Sequence, residues 1–421
     1  MREILERSTL QLSAGWKTIL WALVIVGLLT FLIGLAVGSP ERSWQTFLIN
    51  TVFWGGIAQA GVILAAIWQI TDAKWGRPFK RIAEGFGAFL PIAFIAFIAV
   101  MFGAGHVYKW VHHPMEAKAG YLNLGFFSVR NVIGMVILFG LSWVFIRMSI
   151  KPDVALARQL IPGWGGSFAD RLLRGYGEHE TEVVRLEQRS RRLAPLLTFL
   201  YAVIGSMMAI DYVMSLDQEW FSTLFPVFFL IGSIYAMLAL MLIIGAGVRV
   251  RLPLVAEYLS LNRYNDMAKL TFAFAMGWTY MIFSQYLVIW YSNLPEETPY
   301  LIERSIMPGL PWYNLFWTLF VVLFLFPFLA LMPRTFCRIP KLMALFGLIL
   351  FIGQWFAHYM MVVPSVQAQH AAEPHFLFGL TEILVTLGFT GAFFLAFFTF
   401  MSRVPTLPIS DKHLCKTWHG H

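Results

Sequence analysis

The sequence predicts an all-α integral membrane protein of about ten transmembrane helices, and three observations lead to that class. Hydrophobic residues make up 58% of the 421 positions and charged residues 13%, about half of the roughly 25% found in soluble domains. Stretches of about 20 apolar residues, each long enough to cross roughly 30 Å of hydrocarbon, recur along the chain. These stretches are continuous, whereas a membrane barrel would show alternating segments of about ten residues.

The predicted helices follow from these apolar stretches in chain order. They cover residues 18–38, 46–71, 82–105, 126–150, 193–214, 223–247, 268–291, 313–333, 340–363 and 378–401. The first stretch is too long for the core of a signal peptide and no A-x-A-like cleavage site follows it, so we expect it to remain as a membrane helix. The longest connection, residues 151–192, is predicted to be a cytoplasmic loop that ends in a charged surface helix.

Lys and Arg are divided unequally between the two sets of connections. One set, comprising both termini and connections 72–81, 151–192, 248–269 and 334–341, holds 25 of them, and the opposite set holds four. Because cytoplasmic loops are enriched in Lys and Arg, we expect both termini in the cytoplasm. The net charge of +8 is therefore spread over short loops, which argues against nucleic acid as a partner.

A weak internal repeat indicates how the helices are grouped. The matched residues are Ala83, Ala88 and Phe89 with Ala268, Ala273 and Phe274, and Thr51-x-Phe53 with Thr223-x-Phe225. Four helices separate the copies, so the repeat would be parallel, with its axis along the membrane normal. We expect one polytopic domain, residues 1–421, with four-helix bundles at 46–214 and 223–363 and two flanking helices.

Polar side chains inside the apolar stretches are the candidates for function, because ionisable groups are costly there. The candidates are Asp211, Gln285, His358, Glu382, Arg130, Tyr291, Asp72 and Glu84. The first four lie toward the predicted outer side and would line a proton path or a quinol pocket, with Arg130 as the partner of Asp211. Asp72 and Glu84 would serve the cytoplasmic half of a proton path. The alternative for each residue is an interhelical hydrogen bond with no further role.

The predicted outer loops carry the candidates for contacts with partner subunits. These are Asp217, Glu219, Glu296 and Glu297. No spacing among the histidines, or around Cys337 and Cys415, indicates a metal site, an iron–sulfur cluster or a covalently bound haem. We therefore expect no metal, haem or iron–sulfur cluster in this chain.

Five stretches together carry a resemblance to a known family. They are WGRPFKRIAE at 75–84, YLNLGFFSVRN at 121–131, DYVMSLDQEWFST at 211–223, FSQYLVIWYSNLPEE at 283–297 and HYMMVVP at 358–364. With them the chain resembles the NrfD/polysulfide reductase membrane-subunit family, in particular the second large membrane subunits of bacterial alternative complex III, over roughly residues 16–400.

The resemblance implies a non-haem membrane subunit of a respiratory quinol:electron acceptor oxidoreductase in the bacterial inner membrane, supporting quinol oxidation, proton translocation or both. The implied partners are a periplasmic iron–sulfur protein, haem c subunits, a paralogous membrane subunit and lipid, with menaquinol or ubiquinol as the ligand. One helix would flank each bundle. Many relatives carry an acidic residue seven positions before the proline of the last stretch, where this chain has Ala357, and His358 is the expected substitute.

Two other classes of function stay open. A secondary transporter would have helices broken by Gly or Pro at matched positions in its two halves, whereas Pro91 and Pro226 fall in the third and sixth helices, which are not equivalent. A purely structural anchor would use its polar side chains only to join helices.

Overall fold

The computed structural model describes residues 5, 9–370 and 375–411, and within them ten helices are long and apolar enough to cross a membrane. They are α1 Ala14–Val37, α2 Pro40–Ile70, α3 Lys74–Phe102, α4 Leu124–Leu160, α5 His179–Leu216, α6 Phe225–Arg251, α7 Leu261–Ser292, α8 Pro311–Leu331, α9 Pro340–Gln369 and α10 Leu380–Met401. Each of the ten helices covers most of one predicted span. This agreement confirms the all-α integral membrane class. Cys415 lies outside the described residues.

Local sequence explains where several helices begin. Asn123 Oδ1 accepts a hydrogen bond from Phe126 N at 2.9 Å and so caps α4. At α10, Glu382 Oε2 accepts from Gly379 N at 2.7 Å. Pro40 and Pro311 occupy the first turns of α2 and α8, where a missing N–H leaves no intrahelical bond unmade.

The connection predicted at 151–192 is shorter than expected because both flanking helices continue past the apolar stretches. α4 runs through Pro152 to Leu160 and α5 begins at His179, so only the short helix Gly166–Leu172 and its flanks lie between them. The charged helical pattern at the end of the connection is the first part of α5. There Arg191 pairs with Glu187 one turn away at 3.2 Å, as suits a solvated helix face.

Helix contacts group α2–α5 into one bundle and α6–α9 into another. In the first bundle, α2 packs on α3 and α5, and α5 packs on α4. In the second bundle, α6 packs on α7 and α9, and α8 packs on α7 and α9 as well. The bundles meet where α2, the most buried of these helices, contacts α6 and α9, and where α5 contacts α6. Thr51 lies in the middle of α2, whereas Thr223 precedes α6, so this part of the sequence repeat does not mark equivalent positions.

The two flanking helices, α1 and α10, pack along each other and on the first bundle. α10 contacts α2 and α3, so the helices do not flank one bundle each as the resemblance implied. Glycines allow this pairing, since a Cβ on Gly27 would lie 2.5 Å from the Cα of Gly388, and small residues let membrane helices approach closely. A groove remains between this pair and α4, at the end of the molecule where α1 begins.

Candidate functional site

The candidates predicted to share one outer pocket lie in separate helix interfaces. Asp211 points to α4, Glu382 to α2, His358 to the contact between the bundles and Gln285 into the second bundle. Similar depth in the membrane does not bring side chains together when their helices present them in different directions. The structure therefore does not bring these four side chains together in one pocket.

Asp211 is held by the partner that the sequence predicted. Its carboxylate, fully buried, accepts hydrogen bonds from Arg130 Nε and Nη2 at 2.8 and 2.7 Å and from Asn131 Nδ2 at 2.6 Å. Arg130 also donates to the Tyr121 carbonyl at 2.7 Å and lies over the Tyr121 ring, 3.8 Å from its centre. Burial, followed by the charge of Asp211, raises the pKa of Tyr121 to about 12. The Arg130–Asp211 ion pair, together with the uncharged Tyr121 phenol beside it, therefore fixes α4 to α5.

Glu382 joins α10 to α2 in the same manner. Arg42 binds both of its carboxylate oxygens, with Nε–Oε1 and Nη2–Oε2 distances of 2.7 Å. Further along these helices Asn50 Nδ2 donates to Thr386 Oγ1 at 3.0 Å, and Trp355 Nε1 donates to Asn50 Oδ1 at 3.1 Å. Glu382 and Thr386 of α10 therefore form interhelical hydrogen bonds.

His358 is buried where α9 meets the other bundle. Its ring lies between Phe53 and Phe229, with centroid distances of 5.2 and 5.6 Å. Its Nδ1 is 2.8 Å from the Gln354 carbonyl, which only accepts, so Nδ1 carries the proton. Within the described chain, His358 Nε2 and both amide atoms of Gln354 have no hydrogen-bond partner.

The two inner candidates, Asp72 and Glu84, belong to ion-pair networks at the opposite end of the first bundle. Glu84, fully buried, pairs with Arg81, which also pairs with the buried Asp153 of α4. Asp72 pairs with Arg77 at 2.6 Å. The networks also reach past α10, because Arg77 pairs with Asp411 at 2.6 Å and Ser410 N donates to Asp153 Oδ1 at 2.8 Å. Each of the two carboxylates thus has a cationic partner, Arg81 for Glu84 and Arg77 for Asp72.

Gln285 is the one candidate that lines a cavity of the second bundle. This cavity has a volume of about 90 Å³. Its walls are mainly aromatic and aliphatic, and they comprise Trp220, Phe225, Phe228, Trp278, Ile282, Gln285, Ile289, Tyr300, Leu301, Arg304, Ser305, Phe316, Leu319, Phe320, Ala357, Met360 and Met361. A lining of apolar residues with a few polar groups is typical of a site for a small apolar ligand, and the volume is below the roughly 300–1,000 Å³ of drug-sized pockets. Ala357 is part of this wall.

A stack of three side chains closes one end of the cavity. The Trp220 ring lies parallel to the Tyr300 ring, with centroids 3.8 Å apart and 7° between the planes. The Arg304 guanidinium covers Tyr300 at 3.7 Å and donates to Ser365 Oγ at 2.7 Å. Arg304 is only 4% exposed, and cation–π contact offsets part of the cost of burying its charge.

Three residues of this wall carry buried donors without a partner. In the described part of the chain, no acceptor reaches Arg304 Nε, Trp220 Nε1 or Trp278 Nε1. Buried polar groups in folded proteins are nearly always hydrogen-bonded, so a cluster of exceptions requires an explanation. The cavity therefore suits a ligand that has an apolar body and accepts hydrogen bonds.

The remaining candidates lie at the end of the molecule that the sequence predicts to be the outer one. Glu219, Glu296 and Tyr291 are exposed, whereas Glu297 is only 8% exposed. Asp217 accepts hydrogen bonds from the backbone N–H groups of Glu219 and Trp220 at 3.3 Å, which shapes the loop that leads to the stack. Tyr291 faces away from the cavity with 77% of its surface exposed.

Sequence reasoning did not single out the basic partners, Arg42, Arg304 and Arg81, or the acid Asp153. A signal for two of them was present, because Arg42 and Arg304 are among only four basic residues in the predicted outer connections. Basic residues that break such an asymmetry have a specific reason to be there. Asp153 gave no such signal, since it fell in a segment predicted to be a loop.

These observations define a multi-pass, all-α membrane protein with ion-paired helix interfaces and one apolar cavity edged by unpartnered donors. Within the described residues, no three His, Cys, Asp or Glu side chains converge as they would around a metal ion. A comparison with protein-family models finds no match, and a comparison with curated proteins finds none either.

Proposed function

We propose that this chain is a non-haem membrane subunit of a respiratory quinol:electron acceptor oxidoreductase, and that the cavity of its second bundle holds a quinone head group. The observation that carries the proposal is that three residues lining an apolar space, Arg304, Trp220 and Trp278, have buried donors without a partner in the described chain. A quinone ring is flat and apolar, and its carbonyl oxygens accept hydrogen bonds. The resemblance of five stretches to membrane subunits of quinol-oxidising complexes supports the same assignment.

The composition of the wall limits the role to binding and positioning. Quinol oxidation releases protons, which a nearby base must accept. No carboxylate or histidine lines this cavity in the described chain, and Ala357 stands where many relatives have an acid. Asp211 is occupied by Arg130 in the other bundle. In this proposal the proton acceptor comes from a partner subunit, and this chain contributes the cavity.

The proposal includes a location and an orientation. The cavity end with Trp220 and Arg304 faces the periplasm of a bacterial inner membrane, and both termini lie in the cytoplasm. This orientation is supported by the 25 Lys and Arg in one set of connections against four in the other. The loops with Asp217 and Glu296 would then meet the periplasmic iron–sulfur and haem c subunits, with a paralogous membrane subunit alongside.

A photoreactive azidoquinone added to native membranes tests the proposal. We expect it to label peptides from α7, from residues 300–305 and from α9. Ala357→Phe fills the cavity and should lower labelling at least tenfold. Ala344 lies on the same helix but away from the cavity, so the control variant Ala344→Phe should change labelling less than twofold. Since overpacking costs about 1–3 kcal/mol, thermal unfolding of both variants is measured in parallel.

Labelling that is unchanged by Ala357→Phe, or that falls only on other parts of the chain, contradicts the quinone site. Purification of the native complex tests the rest, because iron–sulfur and haem c subunits should copurify with the chain. The chain purified alone should show no haem absorption.

A purely structural anchor is the second candidate, and one observation favours it. The membrane carboxylates Asp211 and Glu382 are each bound by two nitrogens, Nε and Nη2, of an arginine, an arrangement that joins helices and leaves little freedom for proton exchange. Under this reading azidoquinone would label the chain no more than bulk membrane protein. The transporter reading loses support, because Pro226 lies in the first turn of α6 and does not interrupt it.

A further inference from the structure

A large groove opens between α1, α10 and α4 at the end of the molecule where α1 begins. Its volume is about 1250 Å³, above the roughly 300–1,000 Å³ of small-molecule pockets. α3 contributes Ala88, Pro91 and Ile92, and the sides include Trp21 of α1 and Trp143 of α4. The groove is therefore mainly apolar along the membrane-spanning helices and open to the surrounding bilayer, as a site for lipid acyl chains would be.

Basic side chains from four separate elements line the same groove. They are Lys17 in the first turn of α1, Arg147 on α4, Arg171 on the short helix Gly166–Leu172, and Arg403 just after α10. All four are exposed. In the described chain no carboxylate lines the groove and none of these four forms an ion pair. This differs from the adjacent inner networks, in which Arg77 and Arg81 are each paired with two acids.

We propose that this groove binds one anionic phospholipid, with its acyl chains against the apolar walls and its phosphate among Lys17, Arg147, Arg171 and Arg403. Basic pockets between membrane helices at the cytoplasmic side are sites for anionic head groups. A phosphate offsets the mutual repulsion of cations that have no acidic partner. A zwitterionic lipid supplies the same chains, but its own cation cancels much of this attraction. A partner helix would neutralise the four charges only if it carried acidic residues at the same positions.

Native mass spectrometry of the full-length chain in mild detergent tests the site, with dioleoyl phosphatidylglycerol and dioleoyl phosphatidylcholine as probes. We expect one phosphatidylglycerol to bind at least tenfold more tightly than phosphatidylcholine. Arg147→Gln with Arg403→Gln should weaken phosphatidylglycerol binding by about 25-fold, from about fivefold for each charge removed. Binding of phosphatidylcholine should not change.

The matched control is Arg189→Gln with Arg192→Gln, which removes two exposed arginines of α5 that do not line the groove. This variant should change phosphatidylglycerol affinity less than twofold. A second probe, Ile92→Trp, keeps every charge and narrows the groove, and it should weaken binding of both lipids. Thermal unfolding without added lipid shows that each variant is folded.

Three results would overturn the proposal. Equal affinity for the two lipids would remove the role of the phosphate charge. Equal weakening by the two arginine pairs would reduce the effect to general surface charge. A stable dimer that excludes phosphatidylglycerol would assign the groove to a second copy of the chain.

Discussion

Replacing Asp211 by Asn removes the negative charge from a fully buried site while keeping the shape of the side chain. In the native protein three donors converge on this carboxylate, two from Arg130 and one from Asn131. An amide offers only one acceptor oxygen, so its NH2 group would face at least one of these donors. The Arg130 side chain is 8% exposed, so water cannot replace the lost partner at low cost.

The magnitude follows from that burial. Removing one partner of a buried ion pair costs about 3–5 kcal/mol, because the other charge is left without compensation. We expect this loss for Asp211→Asn and a similar loss for Arg130→Gln. The double variant strands no charge, so it should be more stable than the sum of the single losses predicts, by about 2–3 kcal/mol.

The measurement is the denaturant midpoint of the purified full-length chain in mild detergent, for the four members of this cycle. Strictly additive losses would refute the ion-pair reasoning. Quinol turnover of the assembled complex tests the remaining alternative, in which Asp211 exchanges protons. Asp211→Asn complex that assembles normally but oxidises quinol at least about tenfold more slowly would indicate a proton-transfer role, whereas a structural pair predicts normal turnover per assembled complex.

Three further predictions concern other parts of the molecule. Arg81→Gln should destabilise the chain by about 3–5 kcal/mol in the same denaturation assay, because it leaves the buried Glu84 and Asp153 without their shared cation; a change below about 1 kcal/mol would contradict this. Burial raises the pKa of Glu303 above its ordinary value of 4.5, so its favourable contribution is present at lower pH and is lost as pH rises through the higher value. Glu303→Gln should therefore flatten the dependence of the melting temperature on pH. The corresponding change in the free energy of unfolding should be less than about 1 kcal/mol, because the side chain is 45% exposed. An unchanged pH profile would contradict this prediction. Cysteines placed at Ser222 and Ser292 should react with an impermeant reagent in whole cells stripped of the partner subunits, and reaction only after lysis would reverse the orientation.

The membrane helices could be predicted from the sequence because they depend on local composition. A run of apolar residues must satisfy its backbone hydrogen bonds internally, and a helix does so without reference to the rest of the chain. The extensions of α4 to Leu160 and of α5 back to His179 were missed because these turns are polar. Their helical state rests on charge pairs and on contacts of the helix ends, which hydropathy does not report.

The site was less predictable because it depends on the direction in which each helix presents its side chains. Asp211 could be paired with Arg130 since the two residues have the same depth on neighbouring helices. Glu382 has a comparable depth, but its partner Arg42 lies in the first turns of α2, 340 positions away in the chain. Gln285 and Tyr291 were grouped by sequence, yet one faces the cavity and the other the surface. Rotation about the helix axis is set by tertiary packing, which a single sequence does not reveal.

The buried polar residues fall into two groups, those that have charge or hydrogen-bond partners within the fold and those that do not. Asp211 and Glu382 are matched within the fold, so helix association is sufficient to explain them. The donors on Trp220 and Arg304 are not matched, and a buried group without a partner costs about 1–3 kcal/mol. A bound hydrogen-bond acceptor would offset this cost.

The stretch from Asp211 to Thr223 connects these two groups. Asp211 fixes the end of α5 through Arg130, and nine residues later Trp220 stacks on Tyr300 at the cavity. Weakening the Asp211–Arg130 contact should affect the cavity only by changing the position of Trp220. Asp211→Asn should thus reduce azidoquinone labelling by less than Ala357→Phe does, and labelling that disappears with Asp211→Asn in folded protein would show that the carboxylate itself belongs to the quinone site.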